Sequence, residues 1–270
     1  MPTQTDMREG TLATVDTFTK LTGDGAGGTL QDSTVPTWAR SIKQIGVCAG
    51  VDGAAVSGCI MVKLAGATKF GDQVLCVAGH GNIGTTVAVA AATIVLDVDI
   101  PVTPGKACEI YGSYAGGDSG TPELGVSITY SSQEGKHAYV SRQGTLTTVD
   151  VWNTISTENG TTAVNDHLTQ GSKIEQVWVA VGIVPTTQEP VAHYARIQGI
   201  GGCLEGNEHT FCAPSYLVSD GTLADGYITG PSVYDVDIPC RPGTVRVQGV
   251  KSGAASTGTP ELGVTLVYLV

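Results

Sequence analysis

The sequence predicts an all-β protein made of two tandem antiparallel β-sandwiches with jelly-roll-like patterning. The main observation is internal duplication. The blocks Asp97–Pro101 and Gly120–Val126 return at Asp235–Pro239 and Gly258–Val264, at one common offset. A second observation is composition: 14% of residues are charged, 6% are aromatic and 37 are glycine, which is typical of β-proteins. The third is the lack of any capped helical pattern of 11 or more residues.

The duplication covers nearly the whole chain and predicts two domains, residues 1–133 and 134–270. Each is long enough to bury a core of its own. Away from the two identical blocks the offset drifts, because loops tolerate insertions and strands do not. Further matched blocks are Thr11–Asp16 with Thr145–Asp150 and Ile42–Val47 with Ile174–Val179.

Alternating apolar residues between turn signals predict seven or eight strands per repeat. In the first repeat the predicted strands are Leu12–Leu21, Ile42–Val51, Cys59–Leu64, Gln73–Ala78, Thr85–Val98, Ala107–Tyr114 and Leu124–Tyr130. In the second, the clearest are Val177–Val184, Ala192–Ile200, Thr210–Ala213, Ser232–Ile238, Gly243–Val250 and Leu262–Val270. Val35–Lys43 is predicted to hold a turn or two of helix, with Pro36 at its first position.

Net charge argues against nucleic acid as a direct partner, because a chain of charge −11 is repelled by phosphate. No apolar stretch reaches 18 residues, so no membrane span is predicted. Met1–Glu9 shows neither a basic region nor an apolar one, so we expect no secretory signal and synthesis in the cytoplasm.

The seven cysteines are odd in number and match no metal-binding spacing. Only Cys76 and Cys212 occupy equivalent positions in the two repeats. Buried free thiols are the expectation, with one or two disulfides left as an alternative.

One motif invites a catalytic reading, because Gly117–Gly120 resembles the nucleophile motif of chymotrypsin-like serine proteases and His80 lies upstream of it. The spacing from His80 to Ser119 is too short for two six-stranded barrels. The second repeat carries Ala255–Gly258 at the same place, with no histidine equivalent to His80. We therefore predict no catalytic residue and no enzyme.

Aspartate pairs raise the question of a metal. Asp97 and Asp99, and equally Asp235 and Asp237, are spaced to share one strand face and could hold Ca²⁺ together with loop carbonyls. A solvated strand face is the favoured interpretation, because no further acidic residue recurs with them. No metal and no cofactor is therefore predicted.

Three other features carry no site. Gly79–Gly84 is glycine-rich, but no helix follows it that could cradle a phosphate. Asn159–Thr161 is a glycosylation sequon, meaningful only if the protein is exported or decorated. The remaining histidines show no metal-ligand spacing: His137, His167, His193 and His209.

The pairing of Thr11–Tyr130 with Thr145–Val270 in an all-β chain resembles the double jelly-roll major capsid proteins of tailless icosahedral viruses. The resemblance is one of architecture and covers both repeats. It implies a structural protein of an archaeal or bacterial virion. Three copies would place six similar barrels in a pseudo-hexameric trimer, with other copies and other virion proteins as partners. At 270 residues the chain is short for this class and lacks its long loop insertions.

Two other classes stay open from the sequence. One is a virion decoration or spike protein, or an extracellular filament subunit, built of two seven-stranded immunoglobulin-like sandwiches. The other is a tandem carbohydrate-binding module, although Trp38, Trp152 and Trp178 do not recur at equivalent repeat positions. The residues of any assembly interface cannot be named from the sequence, because buried and exposed strand faces look alike when charge is sparse.

Overall fold

A computed structural model of the chain describes residues 2–12, 14–51, 56–82, 90–115, 122–156, 166–182, 192–213, 227–252 and 260–270. These residues form strands, turns and irregular segments, with no helix among them. The strands of the first half are β1 (Thr3–Thr11), β2 (Thr19–Lys20), β3 (Ser33–Thr34), β4 (Ser41–Val51), β5 (Val56–Ala65), β6 (Gln73–Asn82), β7 (Ala90–Pro101), β8 (Ala107–Ala115) and β9 (Glu123–Ser131). Those of the second half are β10 (His137–Thr145), β11 (Asn153–Thr154), β12 (His167–Leu168), β13 (Lys173–Gly182), β14 (Ala192–Ile200), β15 (Glu208–Cys212), β16 (Tyr227–Thr229), β17 (Ser232–Pro239), β18 (Thr244–Ser252) and β19 (Glu261–Leu269).

Each half folds into two antiparallel sheets. Sheet 1A has the order β1-β9-β4-β7, and sheet 1B has the order β6-β5-β8-β2, with β3 also paired to β8. In the second half, sheet 2A is β10-β19-β13-β17 and sheet 2B is β15-β14-β18-β11, with β12 also paired to β18. With β3, β12 and β16 set aside, eight strands per half can be lettered B to I in chain order. Both halves then read B-I-D-G in one sheet and C-H-E-F in the other.

Each half is a jelly roll. The order is that of an eight-stranded double Greek key, so the seven-stranded immunoglobulin-like alternative is wrong for this chain. The predicted all-β class with two duplicated sandwiches is confirmed.

The duplication extends to irregular details of the backbone. β4 slips register between Ile42 and Gln44 against both of its neighbours, and β13 slips at the equivalent place, between Ile174 and Gln176. Asp16 adopts a φ of 60° and its counterpart Asp150 a φ of 56°, which few non-glycine residues do. The two repeats therefore superpose residue by residue along these strands, and positions can be compared between them.

Side-chain alternation along the strands builds a core inside each sandwich. In β9, Leu124, Val126 and Ile128 are buried, while Gly125 and Ser127 face outward and are half-buried. This is the alternation that the sequence predicts for the closing strand. The other core strands repeat it, so each jelly roll encloses its own apolar cluster.

The connection between the halves is short, from the end of β9 at Ser131 to the start of β10 at His137. Within it, Gly135 lies so close to the backbone of Pro101 that a β-carbon would not fit. The proposed boundary at 133/134 falls inside this connection. The sheets divide on either side of it except for β16, which joins sheet 1B.

Two local predictions are wrong. The segment predicted to be helical contains only a turn, closed by the Ala39 amide donating to the Pro36 carbonyl at 2.9 Å, before β4 begins at Ser41. The first strand is Thr3–Thr11 rather than Leu12–Leu21, because polar β1 pairs along its whole length with β9. In the part of the chain described, no helix is long and apolar enough to cross a bilayer.

Candidate assembly interface

The two jelly rolls meet by placing sheet 1B of the first against sheet 2A of the second. Strands β5 and β6 contribute one side, and β10, β13 and β19 contribute the other. The backbones approach so closely at Gly182 that a β-carbon there would collide with the Gly58 carbonyl oxygen. The contact is therefore one of packed sheet faces.

Hydroxyl groups from sheet 2A satisfy backbone groups of β6. The Cys76 amide donates to Thr265 Oγ1 at 2.9 Å, and Ser141 Oγ donates to the Val74 carbonyl at 2.8 Å. The Tyr139 amide in turn donates to the Gln73 side-chain oxygen at 2.8 Å. Because buried backbone groups are costly to leave unpaired, these bonds also define the register of the two halves.

Apolar side chains fill the rest of this junction. Cys59, Met61, Val74 and Cys76 of sheet 1B form a buried cluster with Ala180 of sheet 2A. Such a cluster is stabilised by about 25 cal/mol for each Å² of apolar surface removed from water.

The aromatic side chains of sheet 2A extend the contact. Tyr139 and Trp178 meet edge to face with centroids 5.6 Å apart, and both join the core cluster of the first jelly roll. Tyr139 also accepts a hydrogen bond through its hydroxyl oxygen from the Asp99 amide, at 2.9 Å. The junction is thus continuous with the first core.

Strand β16 ties the halves together a second time. It belongs to the second half by sequence, yet Tyr227–Thr229 pairs antiparallel with Gly79–Gly81 of β6. Sheet 1B therefore ends in a strand from the other jelly roll, which covers part of an otherwise open edge.

A carboxyl group lies buried at this junction. Glu261 is 4% exposed and accepts a hydrogen bond from Thr145 Oγ1. Burial raises the pKa of Glu261 to about 7. In the first repeat the same pair recurs as Thr11 donating to Glu123, but there the carboxyl is exposed.

The outer face of sheet 1A is the counterpart of the junction face of sheet 2A, and no sheet formed by the described residues packs on it. It holds a depression of about 430 Å³ whose floor includes Gly46, Gly50 and Gly125. Met7 and Val95 line it and are 39% and 58% exposed. An apolar depression on the flat face of a sheet is unusual for a monomer surface, so this face is a candidate contact site.

The outer face of sheet 2B is the counterpart of the junction face of sheet 1B. It presents Tyr194, Arg196, Thr210 and Cys212 on adjacent strands. Arg196 lies 4.2 Å from the centre of the Trp152 ring. This face is more polar than its counterpart in sheet 1B.

Charges on these two outer faces differ. The outer face of sheet 1A carries the acidic residues Glu9, Asp97 and Glu123. Sheet 2B carries Arg196, paired with Glu208 at 3.1 Å, and Arg246, paired with Asp166 at 2.9 Å.

Of the protease-like motif and its candidate histidine, the structure describes only His80. His80 is 1% exposed inside the first jelly roll, stacked on Tyr114 with centroids 4.6 Å apart. Burial lowers the pKa of His80 to about 3. Ser119 and the rest of Gly117–Gly120 lie outside the described residues, as does the sequon at Asn159. His80 is thus a core side chain.

Each aspartate pair is engaged with neighbouring side chains. Asp97 and Asp235 accept hydrogen bonds from the equivalent Gln44 and Gln176, at 3.2 Å and 2.8 Å. Asp99 forms an ion pair with Lys43, and Asp237 with Lys173 at 3.1 Å. Within the described ranges, no three histidine, cysteine or acidic side chains come together as a metal site would require.

No protein-family model and no curated protein matches the chain. Among solved structures, the STIV MCP matches with a TM-score of 0.40 and 9% identity, over 98% of this chain and 97% of that one. PNGF-II matches with a TM-score of 0.42 and 10% identity, and the match covers 94% of this chain but only 59% of PNGF-II. The tandem CBM22 domains of Paenibacillus barcinonensis Xyn10C match with a TM-score of 0.27 and 8% identity, over 99% and 91%. Because these TM-scores and identities are low, the jelly-roll assignment rests on the order of the strands in the four sheets.

Proposed function

We propose that the chain is a structural, self-assembling protein, the major capsid protein of a tailless icosahedral virus, and that its copies form pseudo-hexameric trimers. The observation that carries this proposal is the junction between sheets 1B and 2A. That junction joins two unlike faces, so it is heterologous. The counterpart of each face, sheet 2B and sheet 1A, lies on the outside of the same chain.

Heterologous contacts build rings when the rotation closes and filaments when it does not. Three copies joined in this way give six jelly rolls that alternate first and second, each touching the next through similar faces. Such a block is nearly sixfold and can tile a shell. Its place would be the virion, with other virion proteins as neighbours and no catalytic role.

The net charge of the chain supports a shell that does not bind the genome by electrostatic attraction. A net charge of −11 repels nucleic acid, so packaging would depend on other components. A filament built of the same jelly rolls would differ from the ring only in whether the rotation closes, and the test below separates the two.

The deciding experiment is size exclusion with light scattering on the purified full chain, followed by negative-stain imaging. Trimers with six similar lobes, or shells made of them, are expected. Helical fibres would favour the filament alternative. A strict monomer at high concentration would overturn self-assembly, and glycan-binding screens would then test the carbohydrate-module alternative.

A further inference from the structure

Because the two repeats correspond residue by residue, each position of the internal junction has an equivalent position on one of the two outer faces. Along sheets 1A and 2A, the shared register slip aligns Cys48 with Ala180. Gly125, which pairs with Cys48, aligns with Gly263, which pairs with Ala180.

Sheets 1B and 2B align in the same way. Met61 pairs with Cys76 in the first half, and Tyr194 pairs with Cys212 in the second. The neighbouring strands agree, because Gly112 pairs with Val62 as Gly249 pairs with Ala195. Cys212 therefore occupies the position of Cys76.

Inside the chain, Cys76 packs directly onto sheet 2A. A β-carbon built on Gly263 would come closer than 3.0 Å to Cys76 Sγ, so the thiol sits over this glycine. Ala180 is the partner of Gly263 on the next strand and belongs to the same buried cluster as Cys76.

We propose that sheet 2B of one copy docks on sheet 1A of the next in the register of the internal junction, which places Cys212 of one copy beside Cys48 of the next. The inference rests on the proposed self-assembly and adds the contacting faces, their register and a pair of thiols that an oxidant can join. In this register Cys212 lies over Gly125 of the next copy, whose neighbour is Cys48.

Exposure of the cysteines supports this pairing independently. Of the seven free thiols, Cys48 and Cys212 are the two that are exposed. They lie on the two outer faces that the transposed junction brings together. In an isolated subunit these faces point away from each other, so a bond between the two sulfurs has to join different copies.

Shape also fits the transposed junction. Gly46 stands where sheet 2A has the bulky Trp178, which leaves the depression of about 430 Å³ on sheet 1A. On the opposing face, Tyr194 stands where sheet 1B has the slimmer Met61. Compared with the internal junction, the external pair of faces has a smaller side chain on sheet 1A and a larger one on sheet 2B. The two changes in volume have opposite signs, as complementary packing requires.

Charge does not decide this register. The outer face of sheet 1A carries Glu9 and Glu123, while on sheet 2B Arg196 and Arg246 are each already paired with an acidic side chain of their own subunit. The more polar character of sheet 2B suits an interface that forms after the subunit has folded.

Disulfide trapping on the full chain tests the register. Diamide takes two electrons and two protons from a pair of thiols, so one S–S bond forms and the reagent becomes the hydrazine. Wild-type protein at assembling concentration is expected to give dimers and trimers on a non-reducing gel. Peptide mapping is expected to find Cys48 linked to Cys212, within disulfide geometry.

Single variants distinguish a head-to-tail contact from a twofold one. Cys48→Ser alone and Cys212→Ser alone are each expected to stay uncross-linked, whereas an equal mixture of the two gives dimers and nothing larger. Cys240→Ser, which removes a half-buried thiol, is the matched control and cross-links like the wild type. Links of Cys48 to Cys48 or of Cys212 to Cys212 would overturn the proposed register.

Gly125→Val tests the proposed register without relying on disulfide formation. A β-carbon on Gly125 would lie 3.7 Å from the nearest atom of the subunit, so Gly125→Val should fold normally. In the proposed register it would collide with Cys212 of the next copy, and oligomers should be lost. Oligomers that persist in Gly125→Val, or that never cross-link in the wild type, refute the register while leaving self-assembly standing. A wild type that stays monomeric refutes both.

Discussion

Cys76 Sγ of the first jelly roll occupies the space that a side chain at Gly263 of the second would need. This contact leaves no room for a side chain at Gly263, at a position where strands ordinarily prefer larger residues. It also provides a direct test of the internal junction, because the other repeat offers the same position without the obstacle.

Gly263→Val is expected to separate the two jelly rolls locally and to destabilise the chain. Overpacking of this kind costs about 1–3 kcal/mol. The added side chain would collide with Cys76 and approach Cys59, both of which are buried. Thermal unfolding would show a lower Tm. Gly125→Val, the equivalent change on the outer face of sheet 1A, should leave the free energy of unfolding within about 0.5 kcal/mol of wild type when both are measured at a concentration too low for assembly. Equal losses of stability in both variants would contradict the packing of Cys76 on Gly263.

Glu261→Gln is expected to stabilise the protein at alkaline pH. The folded state holds the pKa of Glu261 near 7, above the ordinary value of 4.5, so folding favours the protonated form. That stability is complete below pH 4.5 and is lost as the pH rises through 7. The glutamine keeps an oxygen that accepts from Thr145 and carries no charge, so it should gain roughly 2–3 kcal/mol at about pH 8.

Chemical denaturation at several pH values measures this difference, which should shrink toward pH 5. Glu123→Gln is the matched control, because Glu123 is exposed and makes the same bond from Thr11. A gain at alkaline pH that is as large for Glu123→Gln would show that burial at the junction is not the cause.

Acid should destabilise the chain through its buried histidines. Burial lowers the pKa of His80 and of His167 to about 3, and that of His193 to about 4, all from 6.5. Below pH 6.5 these histidines therefore bind protons in the unfolded chain but stay neutral in the folded chain. The stability contributed by these neutral rings is present above pH 6.5 and is lost as the pH falls through 3–4.

His80→Phe isolates one of these groups. It keeps a ring against Tyr114 and removes one proton uptake, so the slope of unfolding free energy below pH 6.5 should fall by about 1.4 kcal/mol per pH unit. Denaturant titrations at steps of pH give the slope directly. An unchanged slope would mean that His80 is protonated in the folded state.

Ile228→Pro should detach β16 from β6. Proline has no amide hydrogen and its ring fixes φ at about −65°, so a proline in the middle of this three-residue strand should disrupt the pairing with Gly79–Gly81. Hydrogen exchange should rise at those amides of Gly79–Gly81 that point toward β16 rather than β5, and the Tm should fall. Ile228→Val keeps the backbone pairing and is expected to preserve protection. Unchanged exchange in the proline variant would show that β16 does not protect this edge.

Much of the fold follows from repetition and alternation. The alternating residues of β9 predict its buried face, and the repeated blocks show that whatever the first half forms, the second forms too. Strand β1 escaped this reasoning because Thr3–Thr11 is polar on both faces. It is a strand only through pairing with β9, a long-range contact that local pattern does not carry.

The assembly surface could not be predicted for a related reason. Charge is sparse along the whole chain, at 14% of residues, so composition does not distinguish the covered face of sheet 2A from the outer face of sheet 1A. One signal was present: equivalent positions differ sharply in bulk, as in Gly46 against Trp178 and Thr5 against Tyr139. These contrasts can be interpreted only once the structure shows that sheet 2A packs on sheet 1B.

The short connection from Ser131 to His137 makes two geometrically similar contacts unequal in strength. A tether of this length holds the two halves of one chain at an effective concentration on the order of millimolar, while separate copies meet only at their bulk concentration. In a ring of three copies, every second seam would therefore be permanent and every other one reversible. Dilution would open such a ring at alternate seams and release intact two-lobed chains, never single lobes.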